Sequence, residues 1–344
     1  MVRKRVTMQQ LADACGLSRN TVSKIFNDRG AVPEATRLMV MQRAQEMGYY
    51  VGPVKESPDA PRIQNIALLT CRQPADAHFG TFFLPAFAER LSRAGYTLMM
   101  YELTPEELRE KIFPAHMPLE QTAGIAAIEL FDRKYLDMLC ALGLPCVTVD
   151  ACAKAYLAPA ECDCIAMESI SSMAELTRHV IGAGARRLGF VGDPEHCDSF
   201  YQRWLGFCAA LEEAGLTADR QLCILDADGP QYSSEDWLSA RIRNMPEMPG
   251  AFICANDFLA LHVMSVLKRM NLVIPDDIMV AGFDGTPQSA VVEPPLTTVQ
   301  IPNADIGRMA ADLLLERIQH PGHPFCITYV KTTPVWRKST VRRG

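Results

Sequence analysis

No apolar run in the 344-residue sequence approaches the ~20 residues that a membrane-spanning helix requires. The N-terminal Met-Val-Arg-Lys-Arg lacks the apolar centre of a secretory signal, so a cytoplasmic protein is expected. There is no Cys-x-x-Cys pair among the 12 cysteines, which scatter through strand-like and helix-like segments. In a chain of this size that pattern reads as buried, reduced thiols rather than a disulfide framework. Cys162-Asp163-Cys164 is the closest pair, and strand alternation would put both thiols on one face, yet no metal site is expected there. A nucleophile elbow, a Walker-type phosphate loop and the His/carboxylate spacing of a metal hydrolase are also missing. The cysteine-rich region 140–164 shows no activating partner for a thiol. Neither catalysis nor a cofactor is therefore expected.

What the sequence does have is an uneven charge. Its net charge of -6 conceals a first 50 residues with eight Lys/Arg (Arg3, Lys4, Arg5, Arg19, Lys24, Arg29, Arg37, Arg43) against four acids (Asp13, Asp28, Glu34, Glu46). That segment carries +4 and leaves -10 for the remainder. A small basic head on an acidic body suits phosphate contact at one end only.

The head is organised around Leu17–Asn27. Ser18 is placed as an N-cap, and Val22, Ile25 and Phe26 fall at i, i+3 and i+4 on one apolar stripe. Arg19, Asn20, Ser23, Lys24 and Asn27 recur on the opposite side, which offers donors and no carboxylate. Upstream, Thr7 with Gln10 forms a capping-box pattern, and Met8, Leu11, Ala12 and Cys15 form a stripe that ends at Gly16. Two short helices across a glycine turn have helix-turn-helix spacing, in which the second enters the major groove of DNA. An ordinary helical hairpin with a solvated polar face has the same local pattern. A third helix is predicted from Glu34 to Met47, with Val40, Ala44 and Met47 buried and Gly48 as its stop.

Residues 51–62 contain Gly52, Pro53, Pro58 and Pro61 and read as a linker. From Asn65 onward, apolar runs alternate with amphipathic helical stretches. Strands are predicted at 66–70, 97–101, 124–130, 145–150, 162–167, 187–192, 222–226, 251–255 and 278–284. Buried parallel strands with crossover helices follow, divided into two sets by a break near Ala151–Glu161. Two doubly wound subdomains would leave a ligand cleft at their strand C-termini.

The segments Val6–Asn27 and Val32–Tyr50 together resemble the DNA-binding headpiece of the lactose-repressor/galactose-repressor family of bacterial transcription regulators. Thr21-Val22-Ser23-Lys24 stands where that family has its Thr-Val-Ser-Arg recognition core. Gly184–Phe190, Pro294–Val299 and Thr333–Thr340 extend the resemblance through the body. It implies a helix-turn-helix head at 1–50, a hinge at 51–62, and a periplasmic-binding-protein-like body at 63–344. Within the body the expected boundaries are 63–158 plus 302–322 for one subdomain, and 161–300 plus 323–340 for the other. Thr7, Ser18, Arg19, Asn20, Thr21, Ser23, Lys24, Asn27 and Tyr49 would face a palindromic double-stranded operator. Of these, Arg19, Asn20 and Lys24 are assigned to base edges.

For the cleft, the resemblance implies Arg203, Asn256 and Asp284 as ligand residues, joined by Asp150 and by Phe79 or Phe82 as a stacking ring. An arginine fork, an amide and a carboxylate together suit adjacent hydroxyls, hence a sugar or sugar derivative. Asn256 and Asp284 could equally cap the elements that follow them. Ile301 and Asn303 stand where a sugar-responsive relative has a polar and an aromatic pocket residue. The linker departs from the family, which commonly continues Asn-x-x-Ala-Arg-x-Leu and inserts that leucine into the minor groove. Here Pro58 stands at the wedge position and would block a continuing helix. After Thr340 only four residues remain, too few for tetramerising heptads, so a homodimer is expected. The leading expectation is a ligand-responsive repressor of a carbohydrate-utilisation operon. Its rival is a binding protein or thiol/metal sensor whose operator recognition has weakened.

Overall fold

The computed structural model describes residues 6–26, 33–47, 49, 64–71 and 79–341, in two compact units, Met1–Arg62 and Ile63–Gly344. Asn27, the linker at 51–62 and His78 lie outside the described residues.

In the first unit Thr7 caps α1 (Met8–Ala14) by the capping box read from sequence. The Gln10 amide donates to Thr7 Oγ1 at 3.3 Å, and the Thr7 amide donates back to Gln10 Oε1 at 2.8 Å. Gly16, at φ +67°, supplies the left-handed turn that ends α1. Ser18 then caps α2 (Arg19–Phe26), accepting the Thr21 amide at 3.1 Å. With α3 (Glu34–Glu46) these helices bury Leu11, Ala12, Val22, Ile25, Phe26, Val40 and Ala44 in one small core, with Met47 packed against it.

The second unit has two halves. The first is a parallel sheet of β1 (Asn65–Thr70), β2 (Thr97–Glu102), β3 (Thr122–Ile128), β4 (Cys146–Val149), β5 (Asp163–Met167) and, late in the chain, β10 (Ile327–Val330). Their order is β10-β5-β4-β3-β1-β2. Around it lie α4 (Phe79–Arg93), α5 (Pro105–Glu110), α6 (Arg133–Ala141) and α12 (Asn303–Gln319). Strand alternation sorts β1 onto two faces. Ile66 and Leu68 join the core that contains Phe83 and Phe87 of α4 and Leu314 of α12, while Ala67 and Leu69 join Tyr135, Leu136 and Leu139 of α6. Helices α4 and α12 meet closely at Gly307, where a β-carbon would fall 2.6 Å from the Phe83 carbonyl oxygen.

The other half is a parallel sheet of β6 (Leu188–Val191), β7 (Ala251–Cys254) and β8 (Met279–Ala281). Helix α7 (Ile170–Gly182) packs on α8 (Asp198–Glu213), and α9 (Glu235–Arg243) packs on α10 (Asp257–Arg269). The short α11 (Pro287–Val291) leads to β9 (Thr298–Gln300), which pairs antiparallel with β11 (Thr333–Val335). The chain passes between the halves at Glu168–Ser169, at Ile301–Pro302 and at Lys331–Thr332. Two of these passages are joined, since Thr332 Oγ1 donates to the Glu168 carbonyl at 2.8 Å.

Three expectations change. The division between the halves falls after Met167, not near Ala151–Glu161, and Ile327–Val330 belongs to the first half rather than the second. The anchor is Asp163, whose carboxylate takes a two-pronged salt bridge from Arg317 of α12, at 2.7 and 2.9 Å, with both side chains buried. Residues 222–226 do not form a strand; a 3₁₀ turn at Arg220–Leu222 leaves only an isolated bridge between Ile224 and Val191.

Candidate functional site

In the first unit, helix α2 presents Arg19, Asn20 and Lys24 exposed on the side opposite its buried stripe. No acid lies in its first turn, where a carboxylate would repel phosphate. Several of the other predicted contact residues already serve the fold. The Thr7 and Ser18 hydroxyls accept capping amides, and Thr21 Oγ1 lies 2.8 Å from Ser18 Oγ. Tyr49 packs its ring at a tilt against Phe26, 5.7 Å between centroids, and partial burial raises its hydroxyl pKa while the Arg19 charge opposes the rise. Ser23 is half-buried on the same helix.

In the second unit both sheets have a switch point. In the first half, β1 is flanked by β2 and β3, so the strand order reverses there and a crevice is expected at the strand C-termini. Glu129 and Phe131 follow β3 directly there. In the second half β6 lies between Ile224 and β7, which places His196 and Asn256 beside the corresponding crevice. The two meet, because the Phe131 ring contacts the His196 ring edge-on at 5.0 Å. His196 in turn lies 5.2 Å from the Phe200 ring and 3.5 Å from the Asp228 carboxylate.

Arg203 projects from α8 beneath this rim and is only 2% exposed. Its Nη1 donates to the Ala255 carbonyl at 2.7 Å and stands 3.3 Å from Asp284 Oδ1. The guanidinium lies over the Phe283 ring at 3.9 Å, a cation–π contact in a dry setting. Asp284 has φ +114°, outside ordinary L-residue territory, and its backbone is held by Val299 and Ile301. Burial pushes its carboxyl up to about 7, with Arg203 opposing and Asp257 and Glu129 adding to the rise. Glu129 comes from the first half, so the two halves place acids toward one another across the cleft.

The remaining predicted ligand residues divide. Asn256 caps α10, accepting the Leu259 amide at 2.9 Å, which leaves its amino group for other work. Asp284 caps no helix. Asp150, at φ +63°, is occupied at the start of α8, where its carboxylate accepts the Ser199 hydroxyl at 2.6 Å and the Ser199 amide at 3.2 Å. It joins the halves and offers less to a ligand than its position in sequence implied. Phe79 opens α4 and its side chain lies outside the described residues; Phe83 and Phe87 are core, stacked at 5.1 Å. Ile301 is also core.

Among the described residues, three buried side-chain atoms have no hydrogen-bond partner: Asp198 Oδ1, Arg203 Nε and Asn303 Oδ1. Arg203 Nε belongs to the cleft beside Asp284, while Asp198 sits near Lys154 and Ala155 and Asn303 follows Ile301, whose amide donates to the Asp284 carbonyl. Unpaired buried polar atoms are rare and costly, which marks the cleft at Arg203 as shaped for polar groups from elsewhere. A surface groove of about 480 Å³ on the flank, lined by Arg90, Ile165, Met309, Asp312, Glu316 and Thr328, has no such convergence. Asp198, Glu129, Phe131 and His196 were missed in sequence; the strand-end positions of Glu129 and Phe131 were the available signal.

Comparison with known proteins finds relatives of both units. Residues 7–51 match the model for bacterial regulatory proteins, lacI family, and residues 177–340 match a periplasmic binding protein-like domain. The HTH-type transcriptional repressor PurR of Photobacterium profundum is 26% identical over 340 residues, covering 97% of this chain and 98% of that protein. The head is thus of the lacI-family type. HTH-type transcriptional repressor CytR of Escherichia coli is 24% identical over 316 residues, with 91% of this chain and 90% of that protein covered. Among solved structures, the transcriptional regulator CelR in complex with cellobiose shares the fold at a TM-score of 0.70 and 23% identity, covering 97% of this chain and all 100% of that one. The lac repressor dimer bound to operator and the anti-inducer ONPF gives 0.68 at 21% identity, with 98% and 100% covered. The head model and these relatives are those of DNA-binding transcription regulators.

Proposed function

We propose that this protein is a cytoplasmic, homodimeric repressor that reads a palindromic operator with α2 and responds to a small polyhydroxylated effector, a sugar or sugar derivative, in the body cleft. The buried Arg203–Asp284 pair carries this reading, because it keeps an unpartnered donor at Arg203 Nε beside an acceptor carboxylate. Adjacent hydroxyls match such a set: each can donate to a carboxylate or amide oxygen and accept from a guanidinium N–H. The rings of Phe131, His196 and Phe200 add apolar faces on which the C–H side of a pyranose packs. Control of a carbohydrate-utilisation operon follows from such an effector.

A thermal-shift screen of monosaccharides, disaccharides, nucleosides and free nucleobases tests the ligand class, followed by calorimetry on the best binder. A saccharide that raises the unfolding temperature and loses its binding in Arg203→Ala and Asp284→Asn supports the reading. Binding by a planar base alone would replace it.

A further inference from the structure

Three cysteines from successive elements converge at the N-terminal end of the first sheet's inner strands, opposite the cleft. Cys140 ends α6, Cys146 opens β4, and Cys162 immediately precedes β5; their sulfur atoms all lie within 4.8 Å of one another. Cys146 and Cys162 are each 4% exposed within the apolar core on the α6 face, and Cys140 is half-buried against it. We propose that this trio is a binding site for a single thiophilic d10 metal ion held by three thiolates.

The spacing carries the argument. An ion bound about 2.3 Å from each sulfur holds its thiolates roughly 4 Å apart, so the three donors reach a common centre with small side-chain rotations. Soft sulfur donors in an apolar pocket select Cu(I) or Zn(II) over hard cations such as Mg(II). Among the described residues no fourth His, Cys, Asp or Glu joins the group, which suits a trigonal Cu(I) centre or a Zn(II) ion completed by one water.

The scaffold around the trio is already tied down. Arg133, two turns before Cys140 on α6, pairs with Asp137 at 2.7 Å and donates to the carbonyls of Ala158 and Pro159, in the segment leading to Cys162. Asp137 is thereby engaged, and the Arg133 charge offsets part of the negative charge that three thiolates bring. Cys140 provides the route in from solvent. Binding releases the thiol protons to water and oxidises nothing. The site is separate from the effector cleft: Cys146 begins β4 and Asp150 follows its end, a strand length of about 13 Å at ~3.3 Å per residue.

The test uses the full-length, reduced protein under anaerobic conditions, titrated in separate arms with Cu(I) and Zn(II) against chromophoric chelators. One ion of either kind should be retained per chain. Affinity should fall in Cys140→Ser and in Cys146→Ala by more than the roughly tenfold that loss of an outer-shell partner costs. The exposed Cys326 is the control, and Cys326→Ser should bind as the parent does. Cobalt(II) substitution should give a sulfur-to-metal charge-transfer band that Cys140→Ser loses. Should Cys146→Ala fail to fold, Cys140→Ser on the helix surface still decides the question. Failure of both ions to compete with the chelator, or equal retention by Cys140→Ser, would overturn the proposal.

Discussion

Arg203 Nη1 stands 3.3 Å from Asp284 Oδ1, with the two side chains only 3% and 17% exposed. That separation exceeds the ~2.7–2.9 Å of a tight charge-assisted bond. The same nitrogen is closer to the Ala255 carbonyl, at 2.7 Å, while Arg203 Nε is left without a partner. The pair therefore keeps donor and acceptor capacity in a place where water has little access.

Asp284 should make both stability and effector binding depend on pH. Its ordinary value of 3.8 rises to about 7 in the fold, chiefly through burial. Because the folded value is the higher one, folding takes up a proton. The contribution to stability is full below the ordinary value and is lost as pH rises through about 7. Unfolding midpoints measured across that window should fall with pH in the parent and lose that component in Asp284→Asn. Effector affinity should move the other way, strengthening through about 7 as the carboxylate becomes the better acceptor. A flat affinity profile in the parent would separate Asp284 from the effector.

Asn20, exposed on α2, tests the reading of bases. Asn20→Ala should cost ~1–3 kcal/mol on the best operator and far less on random duplex, because amide contacts to a base edge vanish while phosphate contacts persist. Competition binding on both duplexes checks this. Equal losses on the two would assign the outer face of α2 to non-specific contact.

Asp163→Ala should destabilise the body by about 3–5 kcal/mol, since it leaves the buried Arg317 guanidinium unpaired. Replacing both partners with apolar residues of similar volume should recover much of that loss. Denaturant unfolding of the single and double variants provides the comparison.

The linker gives a prediction from sequence alone. Proline at the wedge position should prevent the intercalation that kinks an operator, so bending should be slight and variation at the central base pairs tolerated. Affinity should then rest on phosphate contacts and fall steeply with salt. A gel bending assay that found a sharp central kink would refute this.

Much of the head was legible because its signals are local. Thr7 with Gln10, Gly16 and Ser18 specify caps and a turn within a few residues of where they act. The sheet strands were equally readable wherever a buried apolar run lay between crossover helices. Leu222–Asp226 misled because an apolar run specifies burial, not pairing, and here only Ile224 reaches a neighbour. Ile327–Val330 was missed for the opposite reason. It is an edge strand with alternate residues exposed, and its partner lies more than 150 residues earlier. In the cleft, Arg203, Asn256 and Asp284 were singled out through family resemblance and sheet topology. Glu129 and Asp198 were not, since a carboxylate's use depends on what burial and neighbours do to it. The Cys140, Cys146 and Cys162 cluster has no periodic spacing that a sequence pattern would register.

The bond from Thr332 to the Glu168 carbonyl has a mechanical consequence. Two of the three passages between the halves act through it as one stiff post, and the third, at Ile301–Pro302, runs beside it, since Gln300 pairs with Thr333. Such a mounting resists sliding but allows the halves to swing about an axle through the post. A few degrees of torsion there would be amplified at the Phe131–His196 rim in proportion to its distance from the axle. An effector gripping Arg203 and Asp284 would then act on a lever whose load is the head-bearing half.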